Sequence, residues 1–207
     1  MRQNSYDQIA QRWHENPRPQ VYVARVLNYV DQVLSGLPPG SKVLDLGCGT
    51  GEPIARHSLQ RGYRVTAIDQ SLEMLRIASQ VVPDAQLVHG DMVQVEFGEG
   101  FAAAIAWDSA FHVARKHHAS LYQKLARALT PGGRLLLSVG GADSQDPGVA
   151  EDDGFTSEMF GQKFYYSAYD PEVSRSLLES AGFEIEVWEV DDPSSRGHIA
   201  AIARRQR

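Results

Sequence analysis

The run Lys42-Val43-Leu44-Asp45-Leu46-Gly47-Cys48-Gly49-Thr50-Gly51 constrains the fold more than any other stretch of the chain. Lys42 to Leu46 reads as a short buried strand. The three glycines that follow predict a turn whose backbone takes angles closed to other residues and lets a ligand approach the main chain. Pro53 then suits a first helical turn, so strand, loop and helix form the opening unit. A dinucleotide fingerprint spaces its glycines G-x-G-x-x-G and rests a pyrophosphate on the helix N-terminus. Here the third glycine comes one residue earlier, which turns the loop away from dinucleotides.

The alternation continues along the chain. Arg64 to Ile68 is a second strand, Ser71 caps a helix to about Gln80, and Gln86 to His89 is a third strand. Ala102 to Trp107 is apolar throughout, as a central strand covered on both faces should be. A helix from His117 to Leu129 leads through Pro131-Gly132-Gly133 into a fifth strand, Arg134 to Val139. A helix from Pro171 to Ala181 and two strands, Glu184 to Val190 and His198 to Ala203, complete the pattern. Before the core, residues 1–19 read as a polar arm, and Gln20 to about Ser35 has apolar positions at helical spacing. Residues 140–170 read as an irregular segment rich in aromatics, more in keeping with a lid than a linker. The whole predicts one doubly wound α/β domain over 1–207, with its ligand at the strand carboxyl ends.

Composition narrows the function classes. With 43% hydrophobic and 22% charged residues the chain resembles an ordinary globular protein. A net charge of -6 supplies no broad positive field for a phosphate backbone, so no nucleic-acid partner is expected. No apolar run approaches a membrane span, and no secretory signal opens the chain, so no membrane partner and a cytoplasmic location are expected. Cys48 is the only cysteine, which excludes an intramolecular disulfide and a multi-cysteine metal site. No metal ligand set is predicted.

The segment Val43 to Gly51 resembles the signature loop of class I S-adenosylmethionine-dependent methyltransferases. The likeness extends through Ile68-Asp69, Gly90-Asp91-Met92 and Leu129-Thr130-Pro131-Gly132-Gly133. It implies a Rossmann-like seven-stranded sheet ordered 3-2-1-4-5-7-6 with strand 7 antiparallel. It also implies S-adenosylmethionine as cofactor, leaving as S-adenosylhomocysteine. On that resemblance Asp69 accepts from both ribose hydroxyls, Asp91 from the adenine amino group, and Met92 packs on the ring. Asp45 helps hold the methionine ammonium. Gly47, Cys48, Gly49, Gly51, Gln70 and Trp107 complete the cofactor side, and Tyr6 on the arm gates it. The alternatives are a turn residue for Asp91 and a loop-bracing carboxylate for Asp45, while Ser71 is equally well explained as a helix cap.

Methyl transfer is an in-line displacement that asks a site mainly to align an acceptor and exclude water. A base is needed only where the acceptor must shed a proton. Asp108, Phe111 and His112 follow the fourth strand in the family's substrate-side loop, and Trp13 and Tyr166 join them as acceptor contacts. His112 and His198 are the candidate bases, each with a structural alternative. The segment Trp107 to His112 resembles that of small-molecule methyltransferases and departs from the Asn/Asp-Pro-Pro-Tyr/Phe motif of enzymes that methylate DNA bases, RNA or glutamine, so the resemblance implies a small-molecule acceptor, with O- or N-methylation favoured. A noncatalytic cofactor-binding or sensing protein, or a non-methylating enzyme on the same fold, remains the alternative. Oligomeric state is not legible.

Overall fold

The structure, a computed structural model, describes residues 4–141, 154–191 and 198–207. Helix α1 (Ser5–Glu15) and helix α2 (Gln20–Leu34) precede β1 (Lys42–Leu46), α3 (Ile54–Gln60), β2 (Arg64–Asp69), α4 (Leu72–Val81) and β3 (Gln86–His89). Then come β4 (Phe101–Ala106), two short 3-10 turns, α5 (His118–Ala128), β5 (Leu129–Val139) and a hairpin of β6 (Phe155–Met159) and β7 (Gln162–Tyr166). Helix α6 (Pro171–Ser180), β8 (Phe183–Val190) and β9 (Ile199–Arg205) close the chain.

One sheet runs β3-β2-β1-β4-β5-β9-β8, with β9 antiparallel to both neighbours. Counted without the separate hairpin, this is the expected order 3-2-1-4-5-7-6. Alternate residues of each strand feed opposite faces. Leu44, Leu46, Leu135 and Leu137 pack under Leu121 and Leu125 of α5 and Leu178 of α6. Val43, Ile105 and Leu136 meet Val26, Val30 and Val33 of α2 on the other face. Both faces being covered explains why β4 reads as an unbroken apolar run.

Three expectations need correction. Residues 5–15 are not an open arm: Tyr6, Ile9, Ala10 and Trp13 fall on one helical face, Ile9 and Ala10 are buried, and Asn4 caps the helix by accepting from the Tyr6 amide. A polar composition hid that short stripe. The described part of the expected lid is not irregular either. Its strands β6 and β7 pair across Phe160 and Gly161, both at positive φ (53° and 79°), the backbone of a two-residue hairpin turn. An aromatic residue in that position is uncommon and hid the turn, and the Arg12 guanidinium lies 4.5 Å over its ring. Residues 142–153 of the same segment lie outside the described residues. Finally, Pro131-Gly132-Gly133 does not precede the fifth strand but bulges within it, between the pairs Phe101 with Leu129 and Ala103 with Arg134.

Phe183 opens β8 and is 1% exposed in the core beneath α5 and α6. Phe183→Ala is expected to cost about 3 to 5 kcal/mol of stability in urea titration, the usual range for a truncated core aromatic. A loss under about 1 kcal/mol would mean that packing does not hold this edge of the sheet.

Candidate active site

Parallel strands place their carboxyl ends on one rim, and there lies a cavity of about 440 Å³. Gly47, Gly49, Asp69, Gln70, Asp91 and Met92 line one half; Tyr6, Trp13, Asp108, His112 and His117 line the other. Tyr6 and Trp13 come from α1, which lies across the cavity as a cover.

The three loop glycines have different reasons to be glycine. All take positive φ. A methyl at Gly47 would sit 2.3 Å from Ser109 Cβ, and one at Gly51 2.6 Å from a Val82 methyl, so both are demanded by packing within the protein. At Gly49, which borders the cavity, a methyl would meet nothing within 4 Å. Gly49 is thus the glycine that opens the main chain to a ligand.

Asp69 ends β2 and is 8% exposed. Its Oδ2 accepts the Gly49 amide and its Oδ1 the Ser71 amide, each at 2.8 Å. Burial raises its carboxyl above the ordinary range, the Ser71 and Gly49 amides pull it back, and the Asp7 charge pushes it up again. Asp45, on the adjacent β1, is 3% exposed, and its Oδ2 has no hydrogen-bond partner among the described residues. Burial first, and the Asp69 charge second, push its carboxyl up to about 7. A buried carboxylate oxygen without a donor is costly and calls for a cationic or hydrogen-bonding partner.

On the other side His112 is held at both ring nitrogens. Nδ1 lies 2.7 Å from the Tyr165 carbonyl and Nε2 2.9 Å from the Tyr6 hydroxyl. A carbonyl only accepts, so Nδ1 carries the proton, and Nε2 accepts from Tyr6. Burial lowers the affinity of His112 for a second proton, against the opposing pull of the Tyr165 carbonyl and the Asp108 charge. The ring is neutral and its Nε2 basic. The Tyr6 hydroxyl is pushed far above its ordinary range, chiefly by burial, and stays protonated.

Asp108 follows β4 at φ 48°, a strained angle for a residue with a side chain. Its amide donates to Ser138 Oγ at 2.7 Å, and its Oδ2 accepts from the Tyr22 hydroxyl, which in turn accepts from Trp107 Nε1 at 3.0 Å. His198 Nε2 lies 3.2 Å from Asp108 Oδ1 and 3.7 Å from Asp191 Oδ2, and Arg25 lies 3.6 Å from the same Asp191 oxygen. His198 immediately precedes β9, whose antiparallel pairing sets Ile199 opposite Val139 on the cavity rim. A chain of polar groups therefore runs from the cavity wall to a half-buried arginine.

The expected residues divide accordingly. Tyr6, Trp13, Gly47, Gly49, Asp69, Gln70, Asp91, Met92, Asp108 and His112 border the cavity. Asp45, Cys48, Gly51, Trp107, Phe111, Tyr166 and His198 lie outside its lining. Cys48 is buried against Ala55, Val65 and Leu75, and burial pushes its thiol well up, away from thiolate chemistry. Trp107 stacks on Tyr29 and contacts His198, while Phe111 stacks on Tyr166. Asp91 makes the turn contact, its Oδ1 accepting the Val93 amide at 2.8 Å, and still borders the cavity. His118 is buried, with Nε2 2.9 Å from the Val113 carbonyl, whereas His117 reaches the cavity. Asp7 and Tyr22 were not legible, because no local spacing announces contacts made across 64 and 86 residues of chain, and neither was Asp191, which meets His198 and, from α2, Arg25. Among the described residues no group of His, Cys, Asp and Glu could hold a metal ion, and no helix is long and apolar enough to cross a membrane.

Residues 43–133 match the family model described as a methyltransferase domain. A trans-aconitate 2-methyltransferase of Paracidovorax citrulli is 35% identical over 104 residues, 50% of this chain and 40% of that protein. An S-adenosyl-L-methionine-dependent Diels-Alderase of Talaromyces variabilis is 30% identical over 189 residues, 82% of this chain and 63% of that protein. Among solved structures, the 1,6-didemethyltoxoflavin-N1-methyltransferase of Burkholderia thailandensis, with 1,6-didemethyltoxoflavin and S-adenosylhomocysteine bound, superposes with a TM-score of 0.65 at 21% identity. It covers 91% of this chain and 82% of its own, a likeness of fold. Over residues 43–133 the chain is therefore similar to methyltransferase domains, and its relatives include enzymes named for methyl transfer and for dependence on S-adenosylmethionine. It spans 40% to 49% of the length of the first four curated relatives that it matches.

Asp45 gives the site a pH signature. A carboxyl raised from 3.8 in the unfolded chain to about 7 in the folded one stabilises fully below 3.8, and that contribution is lost as pH rises through 7. Asp45→Asn removes the loss. Between pH 5 and pH 8 the ligand-free variant should gain roughly 2.6 kcal/mol relative to wild type in urea titration. An equal difference at both pH values would mean that Asp45 is already ionised at pH 5.

Proposed function

We propose that this protein transfers the methyl group of S-adenosylmethionine to a small-molecule acceptor by in-line displacement, at oxygen or nitrogen. The observation that carries the reading is one cavity with two unlike halves: the Asp69 and Gly49 cradle on one side, the neutral His112 with Tyr6 on the other. The residues present fit the cofactor. Asp69 offers a carboxylate at the strand end to a pair of ribose hydroxyls, and Gly49 leaves the main chain open beside it. Asp91 and Met92 border the same half for the adenine, and Gln70 lies between them and Asp69. The orphaned Asp45 oxygen suits a nearby ammonium. When bound, the cofactor supplies an electrophilic methyl group on a sulfonium centre.

The chain's own task is then to align an acceptor lone pair and keep water away. Tyr6 and Trp13 on α1 cover the cavity, and the enclosure suits a small molecule rather than a nucleic acid. His112 is the base for an acceptor that must lose a proton, reached through Tyr6: the Tyr6 hydroxyl takes the acceptor's proton as it gives its own to Nε2, the nitrogen that the Tyr165 carbonyl leaves basic on a ring kept neutral by burial. Asp108, held at its strained angle by Ser138 and Tyr22, orients the acceptor, with His198 behind it. Phe111 and Tyr166 stack outside the lining and support that wall.

A second reading is favoured by the breadth of likeness to the Diels-Alderase, which spans more of this chain than the trans-aconitate enzyme does. In it the cofactor is bound and not consumed.

Release of S-adenosylhomocysteine across a panel of small hydroxy, carboxy and amino metabolites tests the proposal. Turnover with at least one acceptor, abolished by omitting that acceptor, is the expected result; tight cofactor binding with no product across the panel would favour the second reading. Asp69→Ala should weaken S-adenosylhomocysteine binding by about 1.5 to 3 kcal/mol, the size of charged hydrogen bonds. Unchanged affinity by calorimetry would remove Asp69 from the cofactor site.

A further inference from the structure

Three consecutive residues of α1 bond three different elements of the fold. Ser5 Oγ donates to the Lys163 carbonyl of β7 at 2.8 Å, and Tyr6 donates to His112. Asp7 turns instead to the start of α4, where its Oδ1 accepts from the Ser71 hydroxyl at 2.6 Å and from the Glu73 amide at 3.2 Å. Ser71 already has other work. Its hydroxyl oxygen caps α4 by accepting the Met74 amide, and its own amide donates to Asp69.

One residue therefore joins two carboxylates, Asp7 through its side chain and Asp69 through its main chain. A helix N-terminus favours negative charge, but two carboxylates brought to it also repel each other. The repulsion is felt at Asp69, whose carboxyl is pushed toward protonation by the Asp7 charge in addition to its burial. Tyr6, the next residue to Asp7, stands against His112 only while α1 is seated.

We propose that Asp7 is a positioning residue that couples filling of the Asp69 half of the cavity to the seating of α1, and so of Tyr6 against His112. The proposal rests on the reading that this cavity takes S-adenosylmethionine. Hydroxyl hydrogens donated to Asp69, and positive charge near it, offset the repulsion between the two carboxylates. Asp7 then docks more firmly on Ser71 and Glu73, and the cover closes over a filled site more readily than over an empty one. Linkage makes the effect reciprocal: whatever factor the ligand adds to the seating of α1, seating adds to the affinity for the ligand. The helix that excludes water and carries Tyr6 is thereby set in place by the cofactor rather than by the acceptor.

Hydrogen exchange of the amides of residues 5–15, followed by mass spectrometry with and without S-adenosylhomocysteine, tests the coupling alongside calorimetric titration of the same ligand. In wild type the ligand should slow exchange in α1 about tenfold, within the common range of coupling between sites. Asp7→Asn keeps an acceptor oxygen for Ser71 and removes the charge. It should bind the ligand at least as tightly as wild type, yet show less than about twofold ligand-dependent slowing. A merely structural Asp7 would give the opposite pairing, weaker binding with the slowing retained, and that result overturns the proposal. Asp7→Ala, which loses both acceptor contacts, should exchange α1 rapidly and bind about tenfold more weakly. Should neither variant fold, wild type alone decides, since binding without any change in α1 exchange contradicts the coupling. Absence of binding by wild type removes the cofactor reading itself.

Discussion

The carboxylate of Asp69 accepts one amide from the glycine loop and one from the start of α4, and so ties together two turns beside the cavity. Each amide bond draws a buried negative charge into a fixed orientation at a strand end, and each turn is fixed by it in return. Gly47 and Gly51 can then serve packing, pressed against Ser109 and Val82, while Gly49 keeps the main chain open. On the neighbouring strand a second buried carboxylate, Asp45, has an Oδ2 with no donor among the described residues. Two buried acids in one corner make a site that favours hydroxyl hydrogens and positive charge.

The other half is organised around a neutral imidazole. His112 donates from one nitrogen to a carbonyl of β7 and accepts at the other from Tyr6 of α1, so the hairpin and the first helix meet through one ring. Asp108 is stabilised in a strained conformation by Ser138 and Tyr22, and its carboxylate faces His198, Asp191 and Arg25 behind it. Strands fix the Asp69 half, whereas the His112 half depends on elements added around the sheet.

The sheet was legible because each strand and helix carries a local signal: Lys42 to Leu46, Ala102 to Trp107, the Ser71 cap and the Pro171 start. The strand ends then brought Asp69, Gln70, Asp91 and Met92 to one rim without further information. Helix α1 was hidden because only Ile9 and Ala10 are buried in it, and the hairpin turn because Phe160 occupies a position that glycine or asparagine would announce. The bonds of Tyr6 with His112, Tyr22 with Asp108 and Asp7 with Ser71 join residues far apart in the chain. Their partners follow from how α1 and α2 settle on the sheet, which periodicity does not specify.

A crystal structure of the protein with S-adenosylhomocysteine most directly tests the account. It should show both ribose hydroxyls within hydrogen-bond distance of the Asp69 carboxylate, with the amides of Gly49 and Ser71 still bonded to it. A ligand seated elsewhere, or an Asp69 side chain turned away from the ribose, would contradict the assignment on which the whole site has been built.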